Sequence, residues 1–252
     1  MFDLDPRPQN RRRLIKGAAL GLAAGLLSGS PRAQVRDRSS PDNLRMTRPA
    51  FDHAHELAPL TFDASKLNGL SARLINSHWL NNYGGSVRAL NETKRRLAMA
   101  LNDAKFPAFV YNDLKREHLM RTGSVVLHEL YFENLGGDGR PGADVSALID
   151  SAFGGFARWE TEFRRIAAGL GGGAGWVVLG YNRQFQALEN YWMADHMHYP
   201  AATVPLLVMD MYEHSYQMDF GAATARYIDA FFANIDWNRI VARIEAINPV
   251  RC

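Results

Sequence analysis

The sequence is poor in cysteine: its 252 residues include only one, Cys252. A single thiol cannot form an internal disulfide, and no cysteine pair is present for a zinc or iron–sulfur site. Stability must therefore come from packing, oligomerisation or a bound metal, which favours histidine and carboxylate ligands over thiolates. The remaining composition, 47% hydrophobic and 22% charged, is that of an ordinary globular protein.

The apolar run near the N-terminus, residues 17–27, is too short to cross a bilayer. It follows the basic stretch Arg11 to Lys16, and Ala33 offers a cleavage point after it. This pattern predicts an export signal over residues 1–33, and its paired arginines resemble the twin-arginine type, which carries folded proteins. We therefore expect a periplasmic or otherwise exported protein. An uncleaved membrane anchor is the alternative.

Most of the excess positive charge lies in this predicted signal. It holds six basic and two acidic residues, so the formal net charge falls from +3 to −1 when it is removed. The high isoelectric point therefore belongs to the signal and gives no reason to expect nucleic-acid binding. We also expect no stable membrane association after cleavage.

Hydrophobic periodicity divides the rest of the chain into a helical half and a half that contains strands. Residues 34–58 are polar and irregular, which is typical of a linker or extended arm. Two long helices, over 63–101 with a kink near Gly84 and over 113–135, predict an antiparallel helical hairpin that forms an N-terminal domain at residues 59–140.

Three apolar segments and four amphipathic ones predict a C-terminal α/β domain at residues 141–252. The fold class is therefore α+β: a helical hairpin followed by a three-stranded antiparallel sheet flanked by helices. The predicted strands are residues 176–181, 185–192 and 204–209, and the predicted helices are 144–153, 156–169, 222–233 and 237–247.

Four side chains form a candidate metal site. His78 and His128 lie on the two long helices, which would let their imidazoles face each other across the hairpin. Asp210 ends an apolar strand and His214 follows four residues later, so both can point the same way. Imidazoles and a carboxylate without a thiolate suit manganese, iron or zinc.

The segments around these residues resemble the iron/manganese superoxide dismutases, in order and with similar spacing. The resemblance extends over about residues 59–247 and also includes a strand motif, Gly175 to Asn182, and a junction near the end, Asn234 to Trp237. The ligand segments that carry it are Ser77-His78-Trp79, His128-Glu129-Leu130-Tyr131-Phe132-Glu133-Asn134-Leu135 and Asp210-Met211-Tyr212-Glu213-His214-Ser215-Tyr216.

The resemblance implies that His78, His128, Asp210 and His214 bind one manganese or iron ion per subunit, with water or hydroxide completing the shell. It also implies that the metal cycles between +3 and +2 while superoxide is converted to O₂ and H₂O₂. An open position beside three imidazoles and one carboxylate suits such a small anion. The residues do not distinguish manganese from iron.

Residues around the expected metal depart from the family pattern. Ser86 and Asn82 stand where the family has a tyrosine and a histidine, Gln217 where it has the tyrosine that meets that histidine, and Tyr212 where it has a tryptophan. The glutamine that binds the coordinated solvent is also replaced: the manganese-type position aligns best with Glu189. In the iron type this glutamine lies four residues before the second ligand, where this chain has Ser124.

The resemblance further implies a homodimer in which Glu213 reaches the partner subunit's His214, with Tyr216 at the same interface. A tetramer remains open. His196 and His198 match nothing in the family pattern, and a role in a loop is expected for both, although shielding the site or binding a second metal stays open.

Three hypotheses follow. The first is an exported superoxide dismutase. The second is a metal-binding homologue with little dismutase activity and an altered redox or structural role, which the changed residues around the metal suggest. The third is a zinc hydrolase, for which only Glu189 offers a general base.

Overall fold

The computed structural model describes Phe51 and residues 53–247, all of which lie in a unit running from Arg48 to Cys252. The predicted signal over 1–33, residues 34–50 of the predicted arm and Cys252 lie outside the described residues. No helix in the described part is both long enough and apolar enough to span a membrane.

The N-terminal half begins with a short 3₁₀ turn, Ala64–Lys66, and with helix α1, Ala72–Ser77, whose N-cap Ser71 accepts a hydrogen bond from the Leu74 amide. A π-helical turn, His78–Tyr83, joins α1 to helix α2, Gly84–Leu101. The kink expected near Gly84 is therefore a wider turn that begins at His78. Such π turns occur often at functional sites because they rotate side chains out of the regular α register.

Helix α3, Ala108–Glu133, packs against α2 and completes the predicted hairpin. It starts directly after Pro107, five residues earlier than the sequence predicted, because a proline is well tolerated at a helix start. Its C-terminal half is buried along one face that includes Ser124, His128 and Phe132.

The C-terminal half contains the three predicted strands and the helices around them. The strand order is β2-β1-β3, and both pairings are antiparallel. The elements are α4 Ala143–Phe153, α5 Phe156–Leu170, β1 Trp176–Asn182, β2 Ala187–Met193, β3 Thr203–Asp210, a 3₁₀ turn Glu213–Ser215, α6 Gln217–Phe220, α7 Thr224–Phe232 and α8 Trp237–Ile247.

The register of the sheet determines which residues lie at its end nearest the ligands. Trp176, the first residue of β1, is opposite Met193 on one side and Asp210 on the other. Four of the first five residues of β1 after Trp176 are also buried, so this central strand is covered on both faces. Asp210 is therefore held at the end of the most protected strand pair.

Asn134 joins the two halves of the chain just after α3. Its side chain is fully buried, its Nδ2 donates to the Val208 carbonyl at 2.8 Å, and its Oδ1 accepts from Arg243 at 2.5 Å. Its backbone carbonyl accepts from the Asp236 amide at 2.7 Å. One side chain thus connects α3 to β3 and α8.

Replacing Asn134 with alanine should lower the free energy of unfolding by about 1–3 kcal/mol, because the buried Val208 carbonyl loses its donor. Denaturant unfolding measures this directly. Asn102→Ala, at an exposed helix end, is the matched control and should change stability by less than about 0.5 kcal/mol. Equal effects of the two substitutions would contradict the role given to Asn134.

Candidate metal centre

The structure brings the four predicted ligands together. One ligand atom from each of His78, His128, Asp210 and His214 lies within 4.8 Å of the others. The Asp210 Oδ2 atom is central: it lies 3.2 Å from Nε2 of His78, 3.6 Å from Nε2 of His128 and 3.2 Å from Nε2 of His214. The geometry is that of a four-ligand pocket for a single ion.

Local hydrogen bonds turn the chain sharply after Asp210. The Asp210 Oδ1 atom accepts from the Tyr212 amide at 2.8 Å, and its carbonyl accepts from Ser215 Oγ at 3.0 Å and Tyr227 Oη at 2.6 Å. The 3₁₀ turn that follows returns His214 to the carboxylate. This explains why two ligands four residues apart meet although no regular α-helix contains them.

Hydrogen bonding fixes which nitrogen of His128 can bind a metal. Its Nδ1 lies 2.7 Å from the Ser124 carbonyl, and because a carbonyl only accepts, Nδ1 must carry the hydrogen. This leaves the unprotonated Nε2 facing Asp210. A contact of this type commonly orients a histidine ligand in metal sites.

Buried nitrogen atoms without partners support the assignment. Among the described residues, both ring nitrogens of His78 and Nε2 of His128 have no hydrogen-bond partner. The His78 Nε2 atom is 3.2 Å from Asp210 but outside hydrogen-bonding geometry. Native proteins rarely leave such atoms unsatisfied, and a metal ion would satisfy one nitrogen on each ring.

The protonation states suit metal binding. Burial lowers the pKa of His78, and burial followed by the nearby His78 lowers the pKa of His128 to about 3, so both rings are neutral. Burial alone would raise the pKa of Asp210, but His214, whose Nε2 lies 3.2 Å from the carboxylate, holds it below its usual range, so the carboxylate is ionised.

A cavity of about 380 Å³ opens in front of two of the ligands. Ser86 and Asn82, both predicted to lie near the metal, are on its wall, and the Ser86 hydroxyl is 2.8 Å from that of Ser124. The lining consists of Asn81, Asn82, Gly85, Ser86, Ala89, Arg121, Ser124, His128, His196 and His214.

The other two residues predicted near the metal differ in placement. Tyr212 stacks on the ring of His214 with centroids 5.3 Å apart, as expected of a residue beside a ligand. Gln217 is exposed at the start of α6, and within the described chain no hydrogen bond joins it to Asn82. The pairing inferred for these two positions is therefore not made within one subunit.

The prediction for Glu189 is wrong in its location. Glu189 lies opposite Gly180 in the sheet, and its carboxylate accepts a short hydrogen bond from Tyr191. Gly180 is four residues from Trp176, roughly 13 Å along the strand at about 3.3 Å per residue. Glu189 instead lines a separate groove with Arg158.

His196, rather than Glu189, lies beside the ligands, with its ring centroid 5.9 Å from that of His128. This position favours the shielding role left open for it over a plain loop role. Its Nδ1 accepts a hydrogen bond from Trp176 Nε1 at 3.0 Å, and its ring stacks on Tyr212 at 4.8 Å. Indole N–H can only donate, so the neutral imidazole carries its hydrogen on Nε2. The signal in the sequence was position: His196 follows β2 three residues after Met193, which pairs with Trp176.

His198 does match the expectation of a loop role. Its side chain is 61% exposed and its Nδ1 lies 2.9 Å from Asp195. The same aspartate accepts from the Met197 amide, which stabilises the turn that contains His196.

The two residues predicted at a dimer interface, Glu213 and Tyr216, differ in their exposure. Glu213 is exposed beside His214, whose side chain is 25% exposed, whereas the side chains of the other three ligands are at most 2% exposed. Tyr216 is only 1% exposed, and its hydroxyl accepts from the Gly172 amide. Tyr216 is therefore buried within its own subunit, and its place at a dimer interface stays a prediction.

Gly123 allows the His196 loop to approach α3. A Cβ atom at this position would lie 1.9 Å from the His196 carbonyl oxygen and 2.9 Å from its carbon. No side chain fits there without displacement of the loop. Glycine in the middle of a helix is otherwise unfavourable, so its presence here indicates a packing constraint.

Gly123→Ala should destabilise the protein by about 1–3 kcal/mol, because the clash with the loop outweighs the gain in helix propensity. Gly169→Ala in α5, where a Cβ would meet nothing within 4 Å, is the control and should stabilise by about 0.5–1 kcal/mol. Denaturant unfolding of both variants tests whether their free energies of unfolding change in opposite directions. Stabilisation by both would contradict the close approach.

The chain is similar to known proteins over nearly its whole described length. A family model described as iron/manganese superoxide dismutases, C-terminal domain, matches residues 141–243. The iron superoxide dismutase of Cupriavidus metallidurans is 46% identical over 192 residues, which cover 76% of this chain and 97% of that protein. The iron enzyme of Aquifex pyrophilus is 32% identical over 199 residues, covering 76% and 92%. The manganese enzyme of Mycobacterium intracellulare is 29% identical over 196 residues, covering 76% and 93%. These similarities confirm the resemblance carried by the ligand segments, and the chain belongs to the iron/manganese superoxide dismutase family.

Proposed function

We propose that this protein is a superoxide dismutase that converts two superoxide ions and two protons into O₂ and H₂O₂ at one manganese or iron ion per subunit. The observation that carries the proposal is the cluster of unpartnered buried imidazole nitrogens around the ionised Asp210. The relatives named as iron and manganese superoxide dismutases agree with it. The bound metal would supply the one-electron oxidation and reduction.

The protein's own residues supply orientation and access. Ser124 holds His128 with Nε2 directed to the ligand cluster, and Tyr227 holds the backbone of Asp210. The rings of Phe132 and Tyr131 lie about 5 Å from His78 and cover its side of the cluster. Access is left through the polar cavity in front of His128 and His214. This arrangement suits a small anion that enters from one side.

His196 supplies a hydrogen-bond donor in that cavity. With Nδ1 held by Trp176, its Nε2–H is the group available to a small ligand or water between it and the cluster. We assign to it the role that the sequence had given to Glu189. The position of Glu189 also removes the only general base considered for a zinc hydrolase.

Export and dimerisation are part of the same proposal. Arg11 to Lys16, with the short apolar run after it, supports export by the twin-arginine route and a place in the periplasm. The exposed Glu213, next to the only ligand with an accessible side chain, supports a symmetric homodimer in which Glu213 reaches the partner subunit's His214.

Asp210→Asn should reduce metal affinity by about 100-fold or more, because a neutral amide replaces the only charged ligand. Metal analysis of the purified protein measures the loss of metal, and superoxide decay followed by stopped flow measures the loss of activity that results from it. Asp113→Asn, at an exposed position of α3, is the control and should change neither the metal content nor the rate of superoxide decay. Full occupancy by manganese or iron without dismutation in the unmodified protein would disprove the proposed function.

His196→Leu should lower the rate of superoxide decay by roughly 10–100-fold while the metal content stays near that of the unmodified protein, because a hydrogen-bond donor beside the ligands is lost rather than a ligand. His196→Gln keeps an N–H donor and should recover part of the rate. His198→Leu, two residues away and exposed, is the control. Equal rates for His196→Leu and His198→Leu would refute this role of His196.

A further inference from the structure

The cavity in front of the ligands is larger than a diatomic substrate needs. Its volume is about 380 Å³, whereas one water molecule takes up roughly 30 Å³ of liquid. Ser86 and Asn82 are smaller than the tyrosine and histidine that the family resemblance places there. The space that remains is bounded by amide, hydroxyl and imidazole groups together with the small residues Gly85 and Ala89.

Arg121 is the cation on this wall. It lies seven residues before His128 on α3, two helical turns along the same face, so both side chains reach the cavity. Its Nε donates to Glu117 at 2.6 Å, and its side chain is 32% exposed. Within the described chain its two terminal nitrogens have no hydrogen-bond partner, which leaves the outer edge of the guanidinium free.

Several groups on the wall can donate hydrogen bonds to an anion. Arg121 and the amide of Asn82 offer N–H groups, and His196 carries its hydrogen on the nitrogen not used by Trp176. No aspartate or glutamate is among the described residues that line the cavity, and Glu117 contacts Arg121 only from outside it. A cation with flanking N–H donors selects anions, and guanidinium geometry suits an oxyanion in particular.

We propose that this cavity is a binding site for a small inorganic oxyanion of the phosphate class, with Arg121 as the principal anchor. An oxyanion held there lies directly in front of His128 and His214 and excludes superoxide while it is bound. The competition with superoxide rests on the proposed function, but the binding of phosphate does not. The site would make the protein sensitive to the phosphate concentration of its compartment.

The test is an equilibrium titration of the metal-loaded mature protein with inorganic phosphate, followed by calorimetry. Arg121→Gln should weaken binding about tenfold, the factor expected for a lost charge-assisted hydrogen bond. Arg121→Lys retains the charge without the planar donor pair, so its affinity for phosphate should lie between those of the unmodified protein and Arg121→Gln. Arg116→Gln, an exposed arginine on the same helix, is the matched control and should bind phosphate like the unmodified protein.

A second measurement locates the phosphate. In the manganese-loaded protein, the relaxation of the phosphate ³¹P nucleus should be enhanced saturably, and Arg121→Gln should reduce this enhancement at a fixed phosphate concentration. Absence of saturable binding by the unmodified protein, or equal binding by Arg121→Gln and Arg116→Gln, would overturn the proposal. Phosphate binding through Arg121 in a protein that does not dismutate superoxide would instead refute the proposed function alone.

Discussion

The contact on which the rest of the structure depends is that of the buried Asp210 carboxylate with three imidazoles. An ionised carboxylate without exposure to water is strongly unfavourable unless charge or hydrogen bonds compensate it. Asp210 is fully buried, and its partners come from the π turn, α3 and the 3₁₀ turn after β3. The elements that carry the ligands meet at this carboxylate, which accepts from the Tyr212 amide and contacts His214 Nε2. A bound cation would compensate the charge that faces the unpartnered nitrogens of His78 and His128.

The two halves of the chain each contribute two of the ligands, so the site is also the junction between them. Tyr227 donates to the Asp210 backbone, and its hydroxyl also contacts that of Tyr131 on α3. Asn134 ties the end of the same helix to β3. Because these contacts surround the ligands with fixed neighbours, the core constrains the geometry of the site. This is the arrangement that allows a protein to impose a coordination geometry on an ion.

The sequence predicted the elements well because periodicity and turn residues act locally. All three strands and the four helices predicted after Gly142 agree with the structure within a few residues, whereas the short helix α6 was not predicted. The family resemblance of the ligand segments identified the site. The π turn at His78 was not predictable, since its hydrogen bonds depend on packing against α3. Glu189 was misplaced because the position of a strand residue relative to the ligands depends on register across the sheet. The burial of Tyr216 shows the same limit, because the sequence alone does not show whether a residue points into the core of its own subunit.

The sequence favours a loop role for His196 because no periodicity marks a residue in a loop as buried. Its place depends on two partners distant in sequence: Trp176 orients the ring, and Gly123 makes room for the backbone. Ser86 and Ser124 occupy the remaining wall with small side chains. The substitutions around the metal therefore form one connected change, in which a histidine from the loop supplies the donor and small residues on α2 and α3 leave space in front of it. That space is open to solvent beside Arg121, so the same change that moved the donor also altered which anions can reach the ligands.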